Sequence, residues 1–188
     1  MGMYLNLGNA GFRSVRKGLY VDKSGLISFV NRALGTKDKL ICVSRPRRFG
    51  KSFATQMLCA YYDRSCRSES LFQDLKIARD EDYRRYMNRY DVLYLDITWF
   101  ISTVDNIRNT VSYMQEQIVG ELCAAYPLGE MSVSCTSEDG MLRAAQPDAL
   151  KPGVSLPVVL STIAEEYGRK FIVIIDAWDA LFREAGEE

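Results

Sequence analysis

The sequence predicts an α/β fold in which a parallel sheet is flanked by helices. Three short apolar runs, at residues 39–44, 92–97 and 171–176, are typical of strands that are buried on both faces of a sheet. Segments with helical spacing of apolar residues separate the runs, so strands alternate with helices, and right-handed crossovers would join parallel strands. Ligands of such sheets bind where the strands end, at their carboxyl edge.

The helices that connect these strands follow from the same spacing. Apolar residues recur at helical intervals over residues 26–34, with Gly35 as the stop, and helices are also predicted over 51–62, 103–125 and 156–167. Residues 127–155 contain prolines and have no apolar period. We therefore expect a mobile insertion there, within a single domain that spans residues 1–188.

Composition excludes several classes of function. The 188 residues include 24 Lys plus Arg and 24 Asp plus Glu, so no net charge draws the whole chain to nucleic acid or lipid. The chain has no His, which excludes Ser-His-Asp and Cys-His nucleophiles and every metal site that contains His. The five Cys include no C-x-x-C pair, which indicates a cytoplasmic protein. No apolar run reaches the ~18 residues that a membrane span needs, so we expect no membrane partner.

A phosphate-binding loop is the main chemical motif. The segment R-P-R-R-F-G-K-S, residues 45–52, follows the first predicted strand and opens a helix, which is the setting of a Walker A loop. There, backbone N–H groups surround the phosphates of ATP, Lys51 reaches the β- and γ-phosphates, and the Ser52 hydroxyl binds Mg²⁺. The consensus is imperfect because Arg45 occupies the first glycine position. Taken alone, Gly50-Lys51 is also consistent with a simple helix cap.

A carboxylate at the end of another strand supports the nucleotide interpretation. Asp176 ends the apolar run 171–175, as the Walker B aspartate that orders the water shell of Mg²⁺ must. The competing interpretation is an Asp that caps the next helix. The loop contains three arginines, Arg45, Arg47 and Arg48. Their positive charge would favour binding of a triphosphate. Alternatively, they form a solvated basic turn or a patch that binds nucleic acid.

Three stretches of the chain resemble the AAA-ATPase-like family of bacterial and archaeal proteins. They are S-R-P-R-R-F-G-K-S, Y-V-D-K-S at residues 20–24, and Leu71-Phe72 followed by Leu75 and Ile77. The resemblance implies a P-loop NTPase-like fold, Walker A roles for Gly50, Lys51 and Ser52, and the Walker B role for Asp176. It also implies that residues 20–24 lie near the nucleotide base, and that relatives carry a C-terminal nuclease-like domain. The expected nucleotide-binding residues are Arg47, Arg48, Phe49, Gly50, Lys51, Ser52 and Phe53, and the expected metal ligands are Ser52 and Asp176.

Two departures from the family pattern change the expected activity. Ala177 stands where the family has the glutamate that polarises the attacking water, so hydrolysis should be weak or absent while binding survives. Because the chain ends at Glu188, the sheet is expected to be incomplete at the C-terminus, as in a truncated or decayed copy or a deliberately cut piece; an engineered binding trap would also explain Ala177. The first and last strands would then pair directly, leave a gap, or recruit a strand from another chain.

Three functions remain open at this point. The first is a domain that binds ATP with Mg²⁺ and hydrolyses it slowly or not at all. The alternative is a non-catalytic interaction or self-association module, in which a second copy or a partner chain completes the sheet. The third is nucleic-acid binding through the basic residues Arg45, Arg47, Arg48, Arg84 and Arg85. The zero net charge of the chain and the lack of a known nucleic-acid-binding motif disfavour this function.

Overall fold

The computed structural model describes residues 2–44, 46, 49–128 and 155–184. The chain divides into two compact units. The first unit contains Met1–Leu95 and Phe171–Asp176, and the second contains Asp96–Lys170 and Ala177–Glu188. The predicted insertion at 127–155 lies almost entirely outside the described residues, so it stays a prediction.

A two-stranded parallel sheet lies in the first unit, flanked by helices. Strand β1 is Asp91–Asp96 and strand β2 is Phe171–Asp176. Backbone hydrogen bonds join the other edge of β1 to the N-terminal segment, since Asn6 N–H donates to the Val92 carbonyl at 2.8 Å and Tyr94 N–H donates to the Tyr4 carbonyl at 2.9 Å. Both edges of β1 are therefore paired, and most of its side chains are buried.

The prediction of a strand at residues 39–44 is wrong. This segment has no regular secondary structure, and Leu40 and Val43 are 90% and 42% exposed. An apolar run becomes a buried strand only if another strand satisfies its backbone groups. Among the described residues, β1 pairs instead with β2 and the N-terminal segment, so the predicted three-stranded pattern is reduced to two strands.

The helices follow the predicted spacing with some differences. The helix predicted at 103–125 begins only at residue 110, because Asn106 accepts a hydrogen bond from Arg108 N–H at 2.9 Å and starts a separate 3₁₀ turn, Ile107–Asn109. A second 3₁₀ helix spans Lys76–Arg79. The α-helices of the described residues are α1 (Ala10–Lys17), α2 (Gly25–Ala33), α3 (Lys51–Tyr62), α4 (Glu69–Phe72), α5 (Tyr83–Tyr86), α6 (Ile97–Thr103), α7 (Thr110–Ala125), α8 (Leu156–Tyr167) and α9 (Ala180–Glu184).

Aromatic residues form the core that holds α3 in the first unit. The Phe72 ring stacks on Phe12 with centroids 5.0 Å apart and meets the edge of Tyr61 at 5.5 Å. The two tyrosine hydroxyls at the end of α3 are hydrogen-bonded: Tyr62 donates to Asn31 Oδ1 at 2.7 Å and Tyr61 donates to the Tyr83 carbonyl at 2.7 Å. Burial raises the pKa of Tyr61 to about 12. The C-terminal half of α3 is thus anchored by packing and by hydrogen bonds.

The second unit is helical. Helices α7 and α8 pack together, with Ile118, Leu122 and Ile163 fully buried. At their ends the rings of Tyr126 and Tyr167 meet edge to face, 5.2 Å apart. Among the residues that the structure describes, none of the helices combines the length and apolar character needed to cross a membrane.

Candidate functional site

The start of α3 has the backbone features of an anion-binding turn. Gly50 adopts a left-handed conformation, with φ 71° and ψ 37°, and its carbonyl accepts the first helical hydrogen bond from Ala54 N–H at 3.1 Å. Glycine suits this position because other residues are strained there. The N–H groups of the first turn lack partners within the helix, and none of the residues 51–54 is acidic. This end of α3 is consequently positive and rich in donors.

The predicted phosphate-binding residues lie in and around this turn. Lys51 and Ser52 are the first two residues of α3; Lys51 is half-buried and Ser52 is exposed. Phe49 and Phe53 are 61% and 55% exposed. Arg47 and Arg48 lie outside the described residues, as does Arg45. The two phenyl rings therefore flank the turn on the surface, and they play no part in the core described above.

Asp176 lies beside the same helix. It ends β2, is only 8% exposed, and its Oδ2 accepts a hydrogen bond from the Tyr94 hydroxyl at 3.1 Å. The Thr55 hydroxyl lies 3.3 Å from the same oxygen and 2.8 Å from the Ser52 carbonyl oxygen, and its single hydrogen can serve either acceptor. Because Thr55 is one turn after Ser52, the carboxylate sits next to the first turns of α3. The structure thereby places Asp176 against α3, the helix that begins at Lys51.

Sequence reasoning missed Thr55 and Tyr94. Thr55 could have been found, because residues three apart share a face of a helix and Thr55 follows Ser52 at that spacing. Tyr94 carries no such signal, since a Tyr within an apolar strand is usually a core residue.

The residue after Asp176 has an unusual backbone conformation. Ala177 has φ 53°, in the left-handed region that costs a non-glycine residue about 1–2 kcal/mol. Its carbonyl accepts a hydrogen bond from Ala180 N–H at 2.9 Å, which closes the turn into α9. Asp179, the other acidic residue of this turn, pairs with Arg183 at 2.7 Å. Asp179 therefore already has a cation partner within the second unit.

Residues 20–24 are tied to the first unit by several hydrogen bonds, and Lys23 reaches the turn. The Lys23 ammonium donates to the Phe49 carbonyl at 2.5 Å. Asp22 accepts hydrogen bonds from Ser24 N–H at 2.8 Å and Lys76 N–H at 2.9 Å. Burial alone would raise the pKa of Asp22, but the hydrogen bonds to the carboxylate outweigh burial and lower that pKa below its ordinary value. The sequence analysis expected residues 20–24 near the nucleotide base but gave Lys23 no role of its own.

The donor set fits a magnesium nucleotide. In the part of the chain that the structure describes, no group of three or more Cys, Asp or Glu is arranged to hold a metal. A nucleotide-bound Mg²⁺ needs fewer protein ligands, because phosphate oxygens and water complete its octahedral shell. One hydroxyl, one buried carboxylate, a lysine and the N–H groups of a helix start meet that requirement.

Comparison with known proteins gives one result at the level of family. No curated protein and no solved structure matches the chain significantly. A family model described as Predicted AAA-ATPase matches residues 7–187, nearly the whole chain. The nuclease-like domain expected of relatives is not part of this finding and stays a prediction. With the match extending over both the G-K-S turn and Asp176, the chain belongs to the AAA-ATPase-like family.

Proposed function

We propose that this protein binds ATP together with Mg²⁺ at the N-terminus of α3, in a P-loop-like site, and hydrolyses it slowly or not at all. The observation that carries the proposal is the position of Asp176, which lies within hydrogen-bonding distance of Thr55, one turn after Ser52. Membership of an ATPase family supports nucleotide binding in general and does not favour the alternative of an interaction module.

The residues of the turn have distinct roles in this proposal. The N–H groups after Gly50 would bind phosphate oxygens, and the positive end of α3 would favour their negative charge. Lys51 would neutralise the terminal phosphates, and Ser52 would hold the metal through its hydroxyl. Bound Mg²⁺ supplies charge neutralisation of the phosphates.

Asp176 would act on the water shell of the metal. The hydrogen bond from the Tyr94 hydroxyl to Oδ2 holds this carboxylate at the end of β2. Ala177 has no group that can accept a proton, so the chain offers no carboxylate at the position where the family resemblance implies the general base. This accounts for the expected lack of turnover.

The first test is a titration with Mg²⁺-ATP. The wild-type protein should be stabilised against heat, by about 2.7 kcal/mol when ATP is at 100 times its Kd. Lys51→Ala should weaken ATP binding about 10- to 150-fold, because it removes a charged hydrogen-bond donor worth roughly 1.5–3 kcal/mol. The readouts are thermal unfolding and isothermal titration calorimetry.

Lys17→Ala is the matched control for this titration. Lys17 is exposed at the end of α1, so its removal should leave the affinity for ATP unchanged. A wild-type protein whose melting temperature does not respond to Mg²⁺-ATP at millimolar concentration would refute the proposed function.

A second test concerns Asp176 and the metal. Asp176→Asn keeps an acceptor for Tyr94 but removes the negative charge, so the Mg²⁺-dependent gain in ATP affinity should fall about 10- to 100-fold. In excess EDTA the affinity of Asp176→Asn should be at least that of the wild-type protein, because the carboxylate that it lacks repels the phosphates. Asp179→Asn serves as the control because Asp179 pairs with Arg183. Full retention of the Mg²⁺ effect in Asp176→Asn would contradict the assigned role.

A further inference from the structure

Lys23 occupies a place beside the phosphate-binding turn that the proposed mechanism leaves unused. Its ammonium lies 2.5 Å from the Phe49 carbonyl oxygen, and a Cβ placed on Gly50 would lie 2.7 Å from the same nitrogen. The lysine therefore approaches Gly50 on the side where any other residue would carry its side chain. The left-handed φ favours glycine at position 50, and the close approach shows that the ammonium lies directly against this turn.

The backbone that carries Lys23 is held rigidly. The Ser24 side chain is fully buried, and its hydroxyl accepts a hydrogen bond from Ile77 N–H at 3.1 Å. The Asp22 carboxylate bonds to the N–H groups of Ser24 and Lys76, and Lys23 N–H donates to the Tyr20 hydroxyl at 3.3 Å. Residues 22–24 are thus fastened to the 3₁₀ helix Lys76–Arg79. The Lys23 side chain extends from this support to the turn.

Lysine side chains lie at the turn from two separate segments of the chain. Lys51 is the first residue of α3, and Lys23 contacts the Phe49 carbonyl, so both add positive charge at the positive end of the helix. The nearest acidic residue on the supporting segment, Asp22, is already engaged by backbone N–H groups. Asp176 faces the other side of the first turns through Thr55. An anion with several charges would relieve the repulsion more than an anion with one charge.

We propose that Lys23 is a positioning residue for the phosphate-binding turn and that it makes the site selective for nucleotides with more phosphates. This inference rests on the proposed function and extends it. By donating to the Phe49 carbonyl, Lys23 holds that peptide and the left-handed Gly50 in place, so the N–H groups that follow are directed to the ligand. Its charge adds to that of Lys51 in favouring di- and triphosphates.

The test compares affinities for ATP, ADP and AMP, measured by calorimetry without Mg²⁺, in Lys23→Met and Lys23→Arg. Lys23→Met should weaken ATP binding about tenfold or more and AMP binding much less, because the lost interaction is with charge. Lys23→Arg should recover most of the ATP affinity. Lys17→Met is the control that should change nothing. Equal losses for ATP and AMP, or no loss for either, would overturn the inference while the proposed function stands.

A second measurement needs no nucleotide, and it distinguishes failure of the role assigned to Lys23 from failure of the proposed function. The Ala54 N–H, which donates to the Gly50 carbonyl at 3.1 Å, reports on the turn through its hydrogen exchange. In Lys23→Met this N–H should exchange several-fold faster, while the melting temperature of the unliganded protein stays unchanged. If the wild-type protein bound no nucleotide, the proposed function would fail. Unchanged Ala54 exchange in Lys23→Met would overturn the positioning role independently.

Discussion

Replacing Ala177 by glutamate is expected to raise the rate of Mg²⁺-ATP hydrolysis about 10²- to 10⁴-fold, which is the usual contribution of a general base. Ala177 directly follows Asp176 and cannot accept a proton, whereas Glu at this position restores the carboxylate that the family resemblance implies. Binding should change little, because Lys51, Ser52 and the backbone of the turn are untouched. The measurement is phosphate release under single-turnover conditions.

Ala177→Gln is the matched control for this experiment. Ala177 has φ 53°, so glutamate and glutamine would carry the same backbone strain and have nearly the same volume. Their rates therefore differ only through the proton acceptor. Ala177→Gln should remain at the wild-type rate. If Ala177→Glu binds ATP normally and yet releases phosphate no faster than Ala177→Gln, the missing base does not explain the slow hydrolysis.

Phe72→Ala is expected to destabilise the protein by about 3–5 kcal/mol, the cost of removing a fully buried phenyl ring. Phe72 has no exposed surface, stacks on Phe12 and contacts the edge of Tyr61, which lies in the last turn of α3. A cavity there removes both ring contacts and leaves space that neighbouring aromatic side chains fill poorly. The midpoint of urea unfolding, followed by circular dichroism, measures the loss.

Phe29→Ala is the control for the core substitution. Phe29 lies on α2 but is 51% exposed, so its truncation should cost less than about 1 kcal/mol. Equal shifts in the urea midpoint for the two variants would contradict the assignment of Phe72 to the core. If the core of the first unit supports the start of α3, Phe72→Ala should also weaken ATP binding at temperatures near its lowered midpoint.

Local patterns predicted several elements well. Helices α3 and α8 and strand β2 have the predicted bounds, and β1 is displaced by one residue. Such elements are specified within the segment, by apolar spacing and by stop signals such as Gly168, which ends α8 in a left-handed conformation. Family membership was also readable, because its motif is a continuous block that includes Gly50 and Lys51.

Pairing between segments was not predictable in the same way. Residues 39–44 and β2 are both short apolar runs, yet only β2 pairs with β1. Which run enters a sheet depends on the competing partners for each strand edge, and at β1 one edge is taken by residues near Leu5. The sequence of a single segment does not specify which of the competing segments will pair with a strand. Helix α7 differed for a local reason, since the side chain of Asn106 starts a separate turn before it.

By itself, the sequence determined the helix that starts at Lys51, the strand that ends at Asp176 and the family to which the chain belongs. Each of these depends on neighbouring residues in the chain, through spacing, backbone preference or a continuous motif. Only the tertiary structure decided that Asp176 lies beside Thr55, 121 positions away, and that Lys23 contacts the Phe49 carbonyl, 26 positions away. Those contacts result from the packing of separate segments, and packing is a property of the whole folded unit.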